Sequence, residues 1–317
     1  MKNLFTDEKH YLTLNNYLKS IYHEKVFKIS LNGNFSCPNR DGKLSTKGCL
    51  FCSSKASGDF AGEKTDSIST QFDKIRTKIE QKWPNGSYIA YFQANTNTYG
   101  TVDELKQRFS QIIDNGKLLN DKIKILSIAT RPDCLNDEIY QYLDELSKQI
   151  PLWIELGFQT SNEKTANFIN RGYQNIVLTE AITKLKQLQI KVIVHIINGL
   201  PGDTKEDMLN TINFLNNLNI DGIKIHMLHI IKDSPLGKMY QEAPFPLLSL
   251  EEYVDITITQ LRLLNPMTVI HRITGDADQN QLIAPLWTTK KFVVMNEIDK
   301  LMRKNNYYQG DLYVKNR

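Results

Sequence analysis

Apolar residues are concentrated in six short runs, at 25–31 (KVFKISL), 87–93 (SYIAYFQ), 123–130 (IKILSIAT), 152–159 (LWIELGFQ), 191–198 (KVIVHIIN) and 222–230 (GIKIHMLHI). β-branched and aromatic residues dominate them, and several are apolar nearly throughout, as in parallel strands covered by helices on one face and filled on the other. Between the runs the period changes to that of a helix. Residues 103–115 put Leu105, Phe109, Ile112 and Ile113 at helical spacing, and 204–218 do the same with Met208, Ile212 and Leu215. Asp203 followed three residues on by Glu206 predicts a capping box for the second of these helices. Strand followed by helix, six times over, predicts a parallel α/β fold with right-handed crossovers, either a barrel or an open sheet. No G-x-G-x-x-G follows the first run, which argues against a dinucleotide-binding sheet.

In a barrel of this kind, chemistry gathers where the strands end. Polar residues cluster there: Asn95, Thr96 and Asn97 after the second run, Thr130, Arg131 and Asp133 after the third, Gln159 and Thr160 after the fourth, Asn198 and Gly199 after the fifth. Any one of these is ordinary loop polarity; four ends together mark a site. Glu155 lies inside an apolar run, and a buried carboxylate needs a partner, either a ligand or a structural cation. His195 shares a strand face with Ile193 and Ile197 and reads as a core histidine. Lys224 and His226 share one face and, if that face points inward, reach substrate.

Composition narrows the class. The chain has 317 residues with 41% hydrophobic content, enough for one large domain with a smaller terminal extension. No apolar run approaches membrane-spanning length, and the polar start MKNLFTDEKH is unlike a signal peptide, so a cytoplasmic protein is expected. The net charge of +4 is uneven: residues 1–52 carry eight Lys/Arg against four Asp/Glu, 281–317 seven against three, and the middle 24 against 28. Basic ends fit a polyanionic partner, or are simply solvated surface.

The four cysteines are not expected to pair as disulfides in that compartment. Cys37, Cys49 and Cys52 form a C-x11-C-x2-C cluster in the loop after the first run, and Cys134 stands apart as a plain thiol. A closed zinc site wants a fourth ligand, yet the nearest histidine, His23, lies beyond a predicted strand. Three thiolates on a 4Fe-4S cluster leave one iron open, which suits catalysis. Burial as small residues is the third reading.

An incomplete α/β barrel with three cysteines after its first strand, and Phe51 just before the last of them, resembles the radical S-adenosylmethionine superfamily. The usual spacing there is C-x3-C-x2-C. The eight extra residues are matched in the branch of the elongator catalytic subunit, which has long first intervals. KVFKISLNGNFSCPNRDG, GCLFCSSKASGDFAG, AYFQANTNTYG, ATRPDCL, ELGFQTSN, NRGY, HIINGLPGDT and IKIHMLHIIKDSPL together are similar to the YtqA/YhcC-like radical S-adenosylmethionine proteins. The similarity spans roughly residues 10–275.

The resemblance implies that Cys37, Cys49 and Cys52 hold a 4Fe-4S cluster whose open iron binds the amino and carboxylate groups of S-adenosylmethionine. Reductive cleavage then yields a 5′-deoxyadenosyl radical that takes hydrogen from the substrate, with Glu155, Lys224 and His226 as catalytic candidates. It further implies cofactor contacts: Asn95 and Thr96 at the methionine end, Thr130, Arg131, Glu155 and Gln159 around ribose and sulfonium, Arg171 on the carboxylate, Gly199, Pro201 and Gly202 near the adenine, and Phe51 stacked on it. The division expected is a lead-in at 1–24, a (β/α)6 partial barrel at 25–235 and an extension at 236–317. This YtqA-like branch, also called MnmL, is associated with the wobble uridine of bacterial tRNA, whose 5-carboxymethylaminomethyl(-2-thio) side chain becomes aminomethyl. The partners implied are a tRNA anticodon loop, a flavodoxin or ferredoxin as electron donor, and a downstream methyltransferase, with no membrane. Alternatives are a radical enzyme acting on a small molecule or protein, and a metal-bearing RNA-binding protein without catalysis. For RNA, Lys290, Lys291, Arg303 and Lys304 lie beside Tyr307 and Tyr308. The competing reading is an amphipathic helix that packs through Phe292, Met295, Ile298 and Met302.

Overall fold

The computed structural model describes residues 5–53, 61–113 and 122–315. Strands β1 (Val26–Leu31), β2 (Ser87–Phe92), β3 (Ile123–Thr130), β4 (Leu152–Gln159), β5 (Lys191–Asn198) and β6 (Gly222–Met227) follow the six apolar runs to within a residue or, in the last, three. Part of the GCLFCSSKASGDFAG motif (54–60) and the end of the expected 103–115 helix lie outside the described residues.

The last run does not stay in one strand. After Met227 the chain leaves the sheet, and β7 (Ile230–Ile231) pairs antiparallel with β9 (Leu282–Ala284). The sheet instead gains β8 (Val269–Arg272), giving seven strands in the order β1-β2-β3-β4-β5-β6-β8, every neighbouring pair parallel. It is the curled half-barrel of an α/β protein, with one strand more than the six predicted. The seventh escaped notice because only Val269 and Ile270 are apolar in its four residues.

Alternation along the strands builds two environments. One set of side chains, including Ile29, Tyr88, Phe92, Leu126, Ile154, Val192 and Ile223, packs with the surrounding helices in the main core. The other faces the lumen and changes character along its length. Near the strand starts it is apolar, with Ile89, Ile125, Trp153 and Ile193 packed against Leu18. Leu18 belongs to the helix Leu14–Tyr22, which contacts both edge strands, β1 and β8. Thr13 caps this helix and also bridges to Ile270 in β8. The lead-in thus plugs one end of the half-barrel.

The two ends of the chain are stapled together. Leu12 N donates to Gln309 Oε1 at 2.8 Å, Gln309 N to His10 O at 2.9 Å, and Lys9 pairs with Asp299. The helix Lys291–Lys304 buries Val294, Ile298 and Met302, while Phe292 is 67% exposed, so Phe292 is not on the packing face expected of it. The capping box is also one residue from its predicted place: Thr204 caps Lys205–Asn217 and Asp207 returns the bond. Among the described residues no helix is long and apolar enough to cross a membrane.

Candidate active site

Toward the strand ends the lumen-facing row turns polar and opens into a cavity of about 750 Å3. Asn95 and Thr96 after β2, Thr130 at the end of β3 with Arg131 next to it, and Gln159 at the end of β4 all line it. Thr130 shares a 2.6 Å hydroxyl bond with Thr98. Asn95 and Gln159 take positive φ, 58° and 70°, so the chain turns sharply as it leaves those strands.

The cysteine loop forms one wall, with Cys37, Cys49, Cys52 and Phe51 all on the cavity. The loop is tied to the NRGY segment: Leu50 N donates to Ile169 O at 2.9 Å, Asn39 Nδ2 to Asn170 O at 2.6 Å, and Asn170 Nδ2 to Gly48 O at 2.7 Å. Asn39 Nδ2 also approaches Cys49 Sγ at 3.4 Å. The Cys52 thiol hydrogen-bonds Cys49 and, with Arg131 nearby, lowers the Cys49 pKa to about 7 against the opposing effect of burial. The same bond, together with burial, raises Cys52. Among the described residues no set of His, Cys, Asp and Glu closes on a single metal ion. Three thiols on one wall, one of them thiolate-prone and receiving an amide hydrogen, are a donor set that fits a thiolate-held iron-sulfur cluster.

The floor is built on Glu155, which is fully buried. Its Oε1 accepts from Lys28 Nζ at 2.9 Å and Ser127 Oγ at 2.7 Å; its Oε2 accepts from His195 Nε2 at 2.7 Å and pairs with Lys224. Burial alone would raise this carboxyl, but Lys224, Lys28 and His195 outweigh it and hold Glu155 well below the usual carboxylate range. Burial, reinforced by Lys224, lowers His195 to about 4, so its ring is neutral. Facing a carboxylate, Nε2 carries the proton and Nδ1 is left as an acceptor. Burial and the neighbouring Lys28 lower Lys224 to about 7 against the pull of Glu155.

His195 is therefore part of the site, not a core histidine. Lys28 was not singled out from the sequence. Its signal was a lysine inside the first apolar run, on the strand face of Val26 and Ser30. His226, His229 and His271 also line the cavity. Nε2 of His226, Nε2 of His229 and Nδ1 of His271 are buried and make no hydrogen bond among the described residues.

Some expected cofactor residues are engaged elsewhere. Arg171 is 1% exposed and all five of its N–H donors are spent on protein: Nε on Tyr173 O, Nη1 on Phe158 O and Thr160 O, Nη2 on Glu163 and Asn175. No donor remains for a carboxylate; Arg171 clamps the end of β4. Gly199, Pro201 and Gly202 do not line the cavity. Gly199 (φ 89°) and Gly202 (φ 95°) serve a left-handed turn, and a Cβ at Gly199 would press on Leu248 at 3.1 Å.

The tail residues divide similarly. Lys290, Arg303 and Lys304 are exposed, and Lys291 bonds Asp276 at 2.6 Å on the cavity rim. Tyr307 lies under Arg262, 3.7 Å from its ring, and Tyr308 stacks on His10 at 4.1 Å. One face of each ring is thus occupied by protein.

A parallel half-barrel whose lumen carries three clustered cysteines on its wall and a charged floor defines a class of cluster-bearing α/β enzymes. Residues 42–215 match the Radical SAM superfamily and 220–304 the Radical_SAM C-terminal domain, and the chain belongs to the radical SAM superfamily. It is 43% identical to YtqA of Bacillus subtilis (strain 168) over 96% of this chain and 94% of that protein, and 33% identical to YhcC of Escherichia coli (strain K12) over 90% and 89%. The archaeal Methanocaldococcus infernus Elp3 shares the fold with a TM-score of 0.65 at 15% identity, over 90% of this chain and 64% of that one. The protein is accordingly a radical SAM enzyme that uses a 4Fe-4S cluster and S-adenosylmethionine.

Proposed function

We propose that the protein modifies the wobble uridine of tRNA, converting a 5-carboxymethylaminomethyl(-2-thio)uridine side chain to the aminomethyl form. The observation that carries the reading is the pair of lysines drawn onto the buried Glu155 in the same cavity as the cysteines, a cationic floor suited to a substrate with a terminal carboxylate. It is supported by the motif resemblance and by a 23% identity, over 54% of this chain, to the tRNA-2-methylthio-N(6)-dimethylallyladenosine synthase of Clostridium botulinum (strain Okra / Type B1).

Cys37, Cys49 and Cys52 would hold the cluster. Bound together, cluster and S-adenosylmethionine supply a 5′-deoxyadenosyl radical able to take a hydrogen atom from carbon. Asn95, Thr96, Thr130, Arg131 and Gln159 surround the cofactor space, and Phe51 offers it an aromatic face. The chain's further tasks are to orient the substrate methylene and to exclude water until the oxidised arm is ready for hydrolysis. The stoichiometry closes if the substrate radical returns one electron and releases a proton to become an imine: one S-adenosylmethionine and one water are consumed, and methionine, 5′-deoxyadenosine, the aminomethyl nucleoside, glyoxylate and a proton are formed with no net reductant.

Lys224 and His226 face the substrate in this scheme, and Glu155 positions Lys224. Exposed Lys290, Arg303 and Lys304 contact tRNA phosphates. A flavodoxin or ferredoxin supplies the electron that primes the cycle, and a methyltransferase consumes the product. Mass spectrometry of wobble nucleosides from a deletion strain tests the assignment: accumulation of the carboxymethylaminomethyl form is expected, and an unchanged profile removes it.

A further inference from the structure

We propose that Lys28 and Lys224, drawn together on the buried carboxylate of Glu155, form a receptor for an anionic group of the substrate. Under the function proposed above, on which the identity of the anion rests, that group is the carboxylate of the carboxymethylaminomethyl arm. The receptor itself stands on geometry.

Charge balance is the first ground. Two ammonium groups share one carboxylate whose four bonds are already taken by Lys28, Ser127, His195 and Lys224. Among the described residues neither lysine has a second acidic partner. A structural ion pair needs one cation, and a second, here with only 22% (Lys28) and 9% (Lys224) of the side chains exposed, is costly unless an anion compensates it. The neutral His195 ring leaves the excess in place.

Position is the second. Lys28, Glu155, His195 and Lys224 lie three or four residues inside the ends of β1, β4, β5 and β6, roughly 10 Å below the rim at about 3.3 Å per residue. They line the same cavity as the cysteines. A substrate arm that reaches them must pass the rim residues Asn95, Thr130 and Gln159.

The third is unmet hydrogen-bonding capacity. The buried Nε2 of His226 and Nδ1 of His271 face no partner in this cavity, although buried polar atoms are nearly always paired. The Tyr91 ring lies 4.3 Å from each ammonium, and its hydroxyl takes a 3.1 Å bond from Lys224. The buried ring covers one side of both ammonium groups with low-dielectric surface, which strengthens their attraction for an anion.

The test uses cluster-loaded protein with S-adenosylmethionine present, so that the methionine end of the cofactor occupies its own site. N-ethylglycine carries the secondary amine and carboxylate of the arm without any RNA; ethylamine lacks the carboxylate. Followed by NMR of the lysine side chains, N-ethylglycine should raise the apparent pKa of Lys224 by about one unit, and ethylamine should leave it unmoved. In a second arm, anticodon stem-loops bearing carboxymethylaminomethyluridine and aminomethyluridine are compared. The unsubstituted protein should prefer the carboxylated RNA by about tenfold, Lys28→Met should lose most of that preference, and Lys28→Arg should restore part of it. Unmoved lysine signals with N-ethylglycine overturn the receptor, as does a Lys28→Met protein that keeps the full preference. Lysine shifts with N-ethylglycine but no binding of either RNA leave the receptor standing and remove the tRNA assignment. The titration on unsubstituted protein decides the question even where Lys28→Met fails to fold.

Discussion

Replacing Glu155 with glutamine removes one negative charge and little volume from the centre of the floor. In the native protein that carboxylate, itself at zero exposure, takes bonds from Lys28, Ser127 and His195 at 2.7–2.9 Å and pairs with Lys224. The glutamine keeps one oxygen, and its NH2 must face either an ammonium or the His195 N–H. Buried Lys224 and half-buried Lys28 then lack a counter-charge. Breaking a buried pair in this way costs about 3–5 kcal/mol, and at roughly 2 °C per kcal/mol for a chain of this size Tm should fall by about 6–10 °C.

The deficit should also depend on pH. Without Glu155 the folded-state pKa of Lys224 drops below its native value of about 7, while the unfolded chain keeps the ordinary lysine value of 10.5. The unfolded variant therefore binds more protons above that lowered value, so the variant regains stability as pH rises toward 7 while the native protein does not. Thermal melts of cluster-free protein at about pH 5.5 and pH 8 check this, with the larger deficit expected at the lower pH. A Glu155→Gln Tm within about 1 °C of the native value at both would refute the claim that this carboxylate organises the floor.

Alanine at Cys37, Cys49 or Cys52 should abolish the cluster absorbance after anaerobic reconstitution, whereas Cys134→Ala should retain it. Arg171→Ala should lower stability by about 3 kcal/mol or more, because five buried bonds go with the guanidinium; with Arg171 folded as a clamp, Arg171→Lys should rescue little. If Arg171→Ala instead melts normally and loses only S-adenosylmethionine affinity, the clamp reading is wrong. Lys290→Glu with Lys304→Glu should weaken tRNA binding and reduce its salt slope by roughly two phosphate contacts, leaving cluster absorbance unchanged; an unchanged salt slope would take RNA off that surface. Preference for carboxylated RNA should fall as pH rises through about 7 and Lys224 loses its proton, since burial, with Lys28 and Arg272, holds it near that value against the pull of Glu155.

The sequence made the strands legible because burial on the outer face leaves long apolar runs, and it made the cysteine wall legible because three thiols in one loop have few other uses. What escaped it was set by partners distant in the chain. Strand β8 is held by pairing to β6 and to the lead-in and has little apolar length of its own. His195 was misread because the apolar neighbours on its face, Ile193 and Ile197, say nothing of Glu155 on the adjacent strand. Arg171 looked like an anion ligand by residue type, yet the carbonyls left free at the end of β4 consume it. Tyr307 and Tyr308 read as base-stacking platforms; that Arg262 and His10 each occupy one ring face depends on partners distant in the chain. Thr204, one position from the predicted cap, won because Asp207 returns its bond. Glu155 and Lys224 were visible as charges inside apolar strands; that they meet, with Lys28 as a third member, needed the curl of the sheet.

The most direct test of the account is a single anaerobic turnover assay with reconstituted protein, reductant, S-adenosylmethionine and tRNA isolated from the deletion strain. The account predicts 5′-deoxyadenosine formed in step with the loss of 5-carboxymethylaminomethyluridine and the appearance of the aminomethyl nucleoside and glyoxylate. Formation of 5′-deoxyadenosine at the same rate with and without tRNA, and no change in the wobble nucleoside, would contradict it.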